Sequence, residues 1–477
     1  MRGRSHYLRA GLSICFTLCG MFLLAAPALA EYTGGVGFDG TGWSLIKADD
    51  KGDNFLTIDL NVQTAQFAQG NAWGGNEDDF IGDHTGYWAD YGFETGISGQ
   101  FRFGESGMGL SAALSGVWTT TRHLDGAGSN LGDTSQSDVT LEQGYIKWTS
   151  GNLLSSLGQD ALEISVGSQD YQVGKGFLIL NGGSDGGSRG GFWLGMRNAW
   201  EKSAIVKLTT GNWMAEAMYL SPNDKPDTST DIYGTNIEYT LGDSGTIGGS
   251  YFNLSDSDVE SRDGLGILYA RAYLTPFASN RAWSIEAEVV KEDNGKQNDS
   301  WAGTAQLGYD FAAVDKDPSW RPSVSFRYAN FSGDDSGGDR DRAFDPLYYG
   351  FNGWNEWYIG EITGEYIAGN SNFSASTVTV SASPTKKLTT YFFYHYFHVN
   401  KLAALTPPTD VPPPIGPGAV TDKSFGHEIN LIADYSPRDD LSFSATANVL
   451  FPAEGAREYF GSSKNWMVAM LWASWKY

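Results

Sequence analysis

Segment after segment of this chain alternates apolar with polar residues over ten to fourteen positions. In 93–103, Phe93, Thr95, Ile97, Phe101 and Phe103 share one face, while Glu94, Ser98, Gln100 and Arg102 share the other. In 281–291, Trp283, Ile285, Ala287 and Val289 oppose Ser284, Glu286 and Glu288. In 441–451, Leu441, Phe443, Ala445, Ala447, Val449 and Phe451 oppose Ser442, Ser444, Thr446 and Asn448. A period of two is that of a strand, whose side chains point alternately to its two faces. Beyond residue 30 no run approaches the roughly 18 consecutive apolar residues of a membrane-crossing helix, so helical spans are excluded.

The pattern predicts strands near 54–70, 89–103, 107–122, 137–149, 161–171, 198–209, 213–221, 231–241, 245–255, 264–275, 281–291, 299–311, 321–332, 372–383, 388–400, 424–435, 441–452 and 465–477, eighteen in all. A further candidate, 356–368, alternates poorly and would make the number odd, so it is read as part of a loop. Long connections (71–88, 123–136, 172–197, 333–371, 401–423) alternate with short ones ("GES", "GDSG", "PTKK", "SPRDD"). A soluble sandwich has no reason to keep its long loops at one end. A transmembrane antiparallel β-barrel does, with tight periplasmic turns on one rim and long external loops on the other. The fold class read from the sequence is therefore all-β, an eighteen-stranded barrel with both termini in the periplasm.

The two ends of the chain fit that reading. Arg2, Arg4 and Arg9 precede an apolar run from Leu12 to Ala26 and then "APALA", the pattern of a secretory signal peptide over 1–30 with Glu31 as the first mature residue. One barrel domain is expected over 31–477. Both cysteines, Cys15 and Cys19, fall inside the leader, so no disulfide framework is expected. At the other end, "NWMVAMLWASWKY" places Met467, Ala469, Leu471, Ala473, Trp475 and Tyr477 on one face. In lipid every backbone donor must be paired, so this strand is expected to close against the first, its apolar face toward acyl chains. A terminal aromatic behind alternating apolar residues is also the signal read by the barrel-assembly machinery, an expected partner, as are outer-membrane lipid and lipopolysaccharide.

The formal charge is −24, or −27 once three leader arginines are removed (−24 − 3). Such a balance speaks against nucleic acid, which needs basic stripes. Five histidines follow the leader, His84, His123, His395, His398 and His427, with neither HExxH nor HxxEH spacing. "GGSDGGSRGG" lacks the GK[ST] ending of a phosphate loop. No enzymatic activity and no cofactor are expected.

From Ser371 to the end, "NSNFSAS" (370–376), "FGHEINLIADY" (425–435), "VLFPAEGA" (449–456) and the closing strand resemble the alginate export family of outer-membrane porins. The stretch 164–201, a strand running into a glycine-rich loop, is similar to the family's middle region. The resemblance implies an eighteen-stranded monomeric barrel of a Gram-negative outer membrane whose aqueous lumen passes an acidic exopolysaccharide, with a periplasmic export scaffold as a further partner. It also implies inward arginines and lysines at a constriction, and a long periplasmic turn that covers the pore. Here Ser168 stands where the family pattern leads to arginine, and "SPRDD" is short for a plug.

Taking the polar face of each strand as inward, the pore-lining candidates are Glu94, Gln100, Arg102 and Gln169 from the first half of the chain, and Arg271, Arg327, Glu428, Asn430 and Asp434 from the second. Mid-strand arginines facing lipid would cost about 2–4 kcal/mol each, so they must point inward. Lys175 and Arg189, with Arg197, Lys202 and Lys207, could form a local positive ring near the glycine-rich loop. The function expected is a channel for hydrophilic solute, with exopolysaccharide export first and an uptake porin of the same architecture as the alternative.

Overall fold

The computed structural model describes residues 43–46, 54–75, 86–125, 135–183, 189–224, 227–295, 298–314, 320–334, 342–354, 356–402 and 420–477. The expected leader, 1–30, lies outside the described residues.

A short strand, β1 (Trp43–Ile46), precedes the barrel. The first nine wall strands are β2 (Phe55–Gly70), β3 (Gly86–Phe103), β4 (Met108–Arg122), β5 (Ser137–Thr149), β6 (Leu162–Gln169), β7 (Trp200–Thr210), β8 (Trp213–Ser221), β9 (Asp231–Thr240) and β10 (Gly245–Ser255). The other nine are β11 (Gly266–Leu274), β12 (Trp283–Asp293), β13 (Asp299–Asp310), β14 (Ser323–Phe331), β15 (Phe373–Thr385), β16 (Leu388–Val399), β17 (Ser424–Arg438), β18 (Leu441–Pro452) and β19 (Trp466–Lys476). Each pairs antiparallel with its sequence neighbour, and β19 pairs with β2 from Met467↔Gly70 to Lys476↔Asn61, closing the ring. All eighteen expected strands are present, their ends within three residues of those read from the alternation. The segment 356–368 is no strand: Glu361–Ala368 forms a π-helical turn, with Glu365 N–H donating to Gly360 O at 3.2 Å and Gly369 N–H to Gly364 O at 2.9 Å.

Closure decides which face meets lipid. Ile97, Leu114, Ile146, Val166, Ile237 and Val289 are all exposed on the outside, as an apolar band requires. At the short-turn rim, Trp213 packs on Tyr239 and Trp283 on Tyr309, rings that suit a membrane interface. Among the described residues no helix is long and apolar enough to cross a membrane.

The main core lies inside the ring, not between layers. From the loop after β6, Val173, Phe177, Leu178 and Ile179 fold inward. They meet Phe344, Leu347, Trp357, Ile359 and Ile362 of the loop after β14, and Tyr459 and Phe460 of helix α1 (Glu454–Phe460). Inward side chains of the wall complete the cluster, among them Phe252, Ile267, Phe331, Phe397 and Leu450. The external half of the lumen is thus filled by its own loops.

Candidate functional site

Of the wall residues read as inward, Glu94, Gln169, Arg271, Arg327, Glu428, Asn430 and Asp434 are buried, and Gln100 and Arg102 are half-buried. Glu94 is buried and accepts from Ser115 Oγ at 2.7 Å; Gln100 accepts from Ser111 Oγ at 3.3 Å. Arg102 donates to Asp160 Oδ1 at 2.8 Å and Gly107 O at 3.1 Å, fastening the 150–161 turn. Gln169 donates to Ser203 Oγ at 2.6 Å. Arg271 reaches Ser250 Oγ at 2.9 Å, and also Asn236 and Glu238. Arg327 donates to Gln306 Oε1 at 2.9 Å and Tyr358 O at 3.4 Å. Asn430 bridges Glu428 and Asn448 at 2.8 and 2.9 Å, and Asp434 accepts from Ser444. A charge that would be costly against lipid is in each case satisfied within the ring.

The basic residues near the glycine-rich loop are held on separate partners. Lys175 binds Glu286 at 2.8 Å, and Arg189 is buried against Asn223 and Asp138. Arg197 is spent on Thr119, Thr140 and the Asp138 carbonyl, while exposed Lys202 lies beside Glu201. Each of these four bases already has a partner of its own: a carboxylate, an amide, a hydroxyl or a backbone carbonyl.

Two loops bridge the ring. The turn Phe192–Leu194 packs with Met196 on Ala65, Phe67, Trp88 and Val117 of β2–β4. Phe177, earlier in the same loop, stacks on Tyr269 of β11 and Phe331 of β14, across the lumen. Ile179 forms a parallel bridge with Tyr348 of the second loop, and Trp193 lies on Tyr366 with centroids 4.7 Å apart.

Beside these loops, against β5–β8, remains a cavity of about 350 Å³, lined by amides (Gln143, Gln169, Asn198), phenols (Tyr145, Tyr171) and a row of charges. The row runs Lys147, Glu163, Lys207, Glu216 on four successive strands. Lys147 Nζ lies 3.8 Å from Glu163, Glu163 faces Lys207 in register, and Lys207 Nζ lies 3.9 Å from Glu216. Those separations exceed a hydrogen bond. Neither lysine donates a hydrogen bond within the described residues, whereas Glu216 is anchored by Tyr171 Oη at 3.1 Å and Asn236 Nδ2 at 2.8 Å. Ammonium donors and carboxylate acceptors therefore alternate across a row of strands about 4.8 Å apart, with no net charge. Lys147 and Glu216 are absent from the residues singled out in the sequence. Lys147 shares the face of Tyr145, and Glu216 the face of Met214 and Met218, so alternation within β5 and β8 was the signal available.

The expectation that the chain holds no GxSxG motif fails on the sequence itself: serines in that spacing occur twice, at 182–186 and 186–190. The described residues on either side, Gly183 and Arg189, belong to the connection between β6 and β7, in which the described residues form no α-helix, whereas a nucleophilic serine of this motif stands at a strand-to-helix turn. Ser184 and Ser188 lie outside the described residues.

A closed antiparallel ring of eighteen strands, with an apolar outer face and its charged wall residues held inside, defines a channel-forming barrel of the Gram-negative outer membrane. The family model described as alginate export matches residues 62–468. The chain belongs to the alginate export family. No curated protein matches it. Its fold is similar to that of Pseudomonas aeruginosa OpdK, solved with vanillate, at a TM-score of 0.52 and 10% identity over 88% of this chain and 98% of that one. It is similar also to P. aeruginosa OccK7 (OpdD), at a TM-score of 0.52 and 9% identity over 88% and 98%, and to OccK5 (OpdH), at 0.51 and 10% over 88% and 97%.

Proposed function

We propose that this channel passes a hydrophilic saccharide of low charge, in the setting of exopolysaccharide export, with the β5–β8 cavity as its path and the pore-lining residues named above as its wall. The observation that carries this reading is the Lys147–Glu163–Lys207–Glu216 row. Sugar hydroxyls both donate and accept, so they can exchange partners along alternating ammonium and carboxylate groups. The lysines have donors to give, and the row repels neither sign. A polyuronate would meet an acid-rich wall in which each of the two lysines with donors to give stands beside a carboxylate, and like-charge contact in a confined lumen raises the barrier to entry. The family description supports export. In this reading a periplasmic scaffold delivers the chain, while lipopolysaccharide surrounds the outer rim.

A second reading, an uptake porin for small cationic or neutral solutes, is favoured by the acid excess itself. Proteoliposome swelling with neutral oligosaccharides and with uronate oligomers of equal size, together with reversal potentials in a salt gradient, tests both. Faster entry of the neutral oligomers with weak ion selectivity supports the first reading. Strong cation selectivity with exclusion of every oligomer supports the second, and strong anion selectivity overturns both.

A further inference from the structure

The π-helical turn Glu361–Ala368 is wedged inside the lumen against β17 and β18. Its carboxylates meet phenols instead of bases. Tyr366 and Tyr358 donate to Glu361 at 2.6 and 3.4 Å, and Tyr349 donates to Glu365 at 3.0 Å. A third carboxylate, Glu428 of β17, takes the backbone N–H groups of Ile362 and Thr363 at 2.9 and 2.8 Å. Glu361 and Glu428 are buried, and Ile359, Ile362 and Ile367 wall off the compartment.

The other polar neighbours do not neutralise it. His395 of β16 lies 6.0 Å from the Tyr358 ring and bonds Thr377. Arg327 of β14 reaches the Tyr358 carbonyl and Gln306. Lys175 presents its carbonyl to Trp357 and its ammonium to Glu286. Glu356 accepts from the Asn352 N–H, and Asp125 accepts from Trp193, whose ring lies tilted against Tyr366. Within the described residues no base hydrogen-bonds Glu361, Glu365 or Glu428.

We propose that this turn is a gate that seats with its carboxylates protonated and leaves as they ionise, so the channel is closed in acid and opens toward mildly alkaline pH. Burial raises Glu361 to about 7, with Glu428 adding to the rise, and Glu365 to about 8, with Glu361 and Glu428 adding. A carboxyl freed into water returns to about 4.5. Seating is therefore fully favoured below about pH 4.5, and its protons are lost as pH climbs through 7 and 8. Between about pH 4.5 and its seated value each carboxylate weakens seating by up to about tenfold per unit of pH, and above that value it adds no further loss. The inference rests on the channel reading only in its readout.

The test is conductance of the full chain in planar bilayers at pH 5 and pH 8, folding being checked by heat-modifiable gel mobility. Glu361→Gln with Glu365→Gln mimics the protonated pair, and a second variant replaces 356–368 by a Gly/Ser linker. Open probability of the unaltered protein should rise on the order of tenfold or more from pH 5 to 8. The double variant should stay closed at both values, and the linker variant should conduct at both. Equal conductance of the unaltered protein at the two pH values, or a double variant that keeps the rise, overturns the gate. A folded linker variant that conducts at neither pH overturns the channel reading instead.

Discussion

Tyr477 and Leu60 exchange both of their backbone hydrogen bonds, each 2.7 Å long, so the last residue of the chain is the last rung of the barrel seam. Below that rung β1 takes over the free edge of β2, with Trp43 opposite Ile58 and its ring 4.8 Å from that of Tyr477. An unpaired edge at the membrane surface would be a liability, and β1 covers it. Deleting Tyr477 removes two hydrogen bonds and a ring contact, a loss of about 1–3 kcal/mol. The urea midpoint in detergent should fall and the folded band in unheated gels should weaken. An unchanged midpoint would mean that β1 alone holds the seam.

Lys207 stands between two carboxylates, in register with Glu163 and 3.9 Å from Glu216. Lys207→Met leaves a local surplus of negative charge and removes a donor from the passage. Reversal potentials should move toward cations. Neutral oligosaccharide flux should drop about fivefold, the equivalent of one lost hydrogen bond of about 1 kcal/mol. Lys207→Arg should restore most of the flux. A shift toward anions would show that the row does not face the permeating solute.

The wall of this protein was legible in its sequence because one face of every strand meets lipid, which forces a period of two over all eighteen. The contents of the lumen were not. An external loop reads as solvent-exposed by position, yet "GFLIL" (176–180) and "WYIG" (357–360) are apolar, and that composition in a loop was the sign that it folds inward. The partners of Arg271 and Lys175 depend on register between strands far apart in the chain, which a single strand's alternation does not carry.

Arg262 and Asp345 form a buried bidentate pair, Nε to Oδ2 at 2.6 Å and Nη2 to Oδ1 at 2.8 Å, joining the loop after β10 to the loop after β14. The neighbouring carboxylate holds the guanidinium in its charged form despite burial. Arg262→Leu strands Asp345 beside Glu292, which accepts the Asp345 N–H at 3.1 Å. Removing one partner of such a pair costs about 3–5 kcal/mol. The loop after β14 should become open to protease added outside intact cells, while the barrel stays folded. Replacing Arg262 and Asp345 together by Leu and Asn should recover much of the protection.

At the opposite rim the Arg102 guanidinium holds the Asp160 carboxyl below its ordinary value of 3.8, aided by Thr149 and the Gly151 N–H. A depressed carboxyl stabilises the turn above its ordinary titration point and loses that contribution as pH falls through the lowered value. Protection of the Gly151 amide, corrected for intrinsic exchange, should therefore hold to about pH 4 and decline below it. In Arg102→Gln the decline should begin at higher pH. Identical profiles in the two proteins would remove the ion pair from any role in the turn.

The glycine-rich stretch that resembles a phosphate loop by composition serves close approach instead. Gly190 has φ +70° and a Cβ there would come within 2.6 Å of the Thr121 nitrogen, while a Cβ on Gly183 would meet the Arg197 carbonyl oxygen at 1.9 Å. Both glycines let the loop after β6 lie against wall or loop backbone, where Arg197 then reaches Thr119 of β4 and the Asp138 carbonyl of β5. Gly183→Ala should unseat this loop, because backbone cannot yield as a flexible side chain can, at a cost of roughly 1–3 kcal/mol for the forced overpacking. The barrel itself has no part in the clash, so gel mobility of the unheated protein should be unchanged. Conductance should rise several-fold and become noisier as the loop leaves the lumen. A variant with unaltered conductance would mean that this loop does not obstruct the passage.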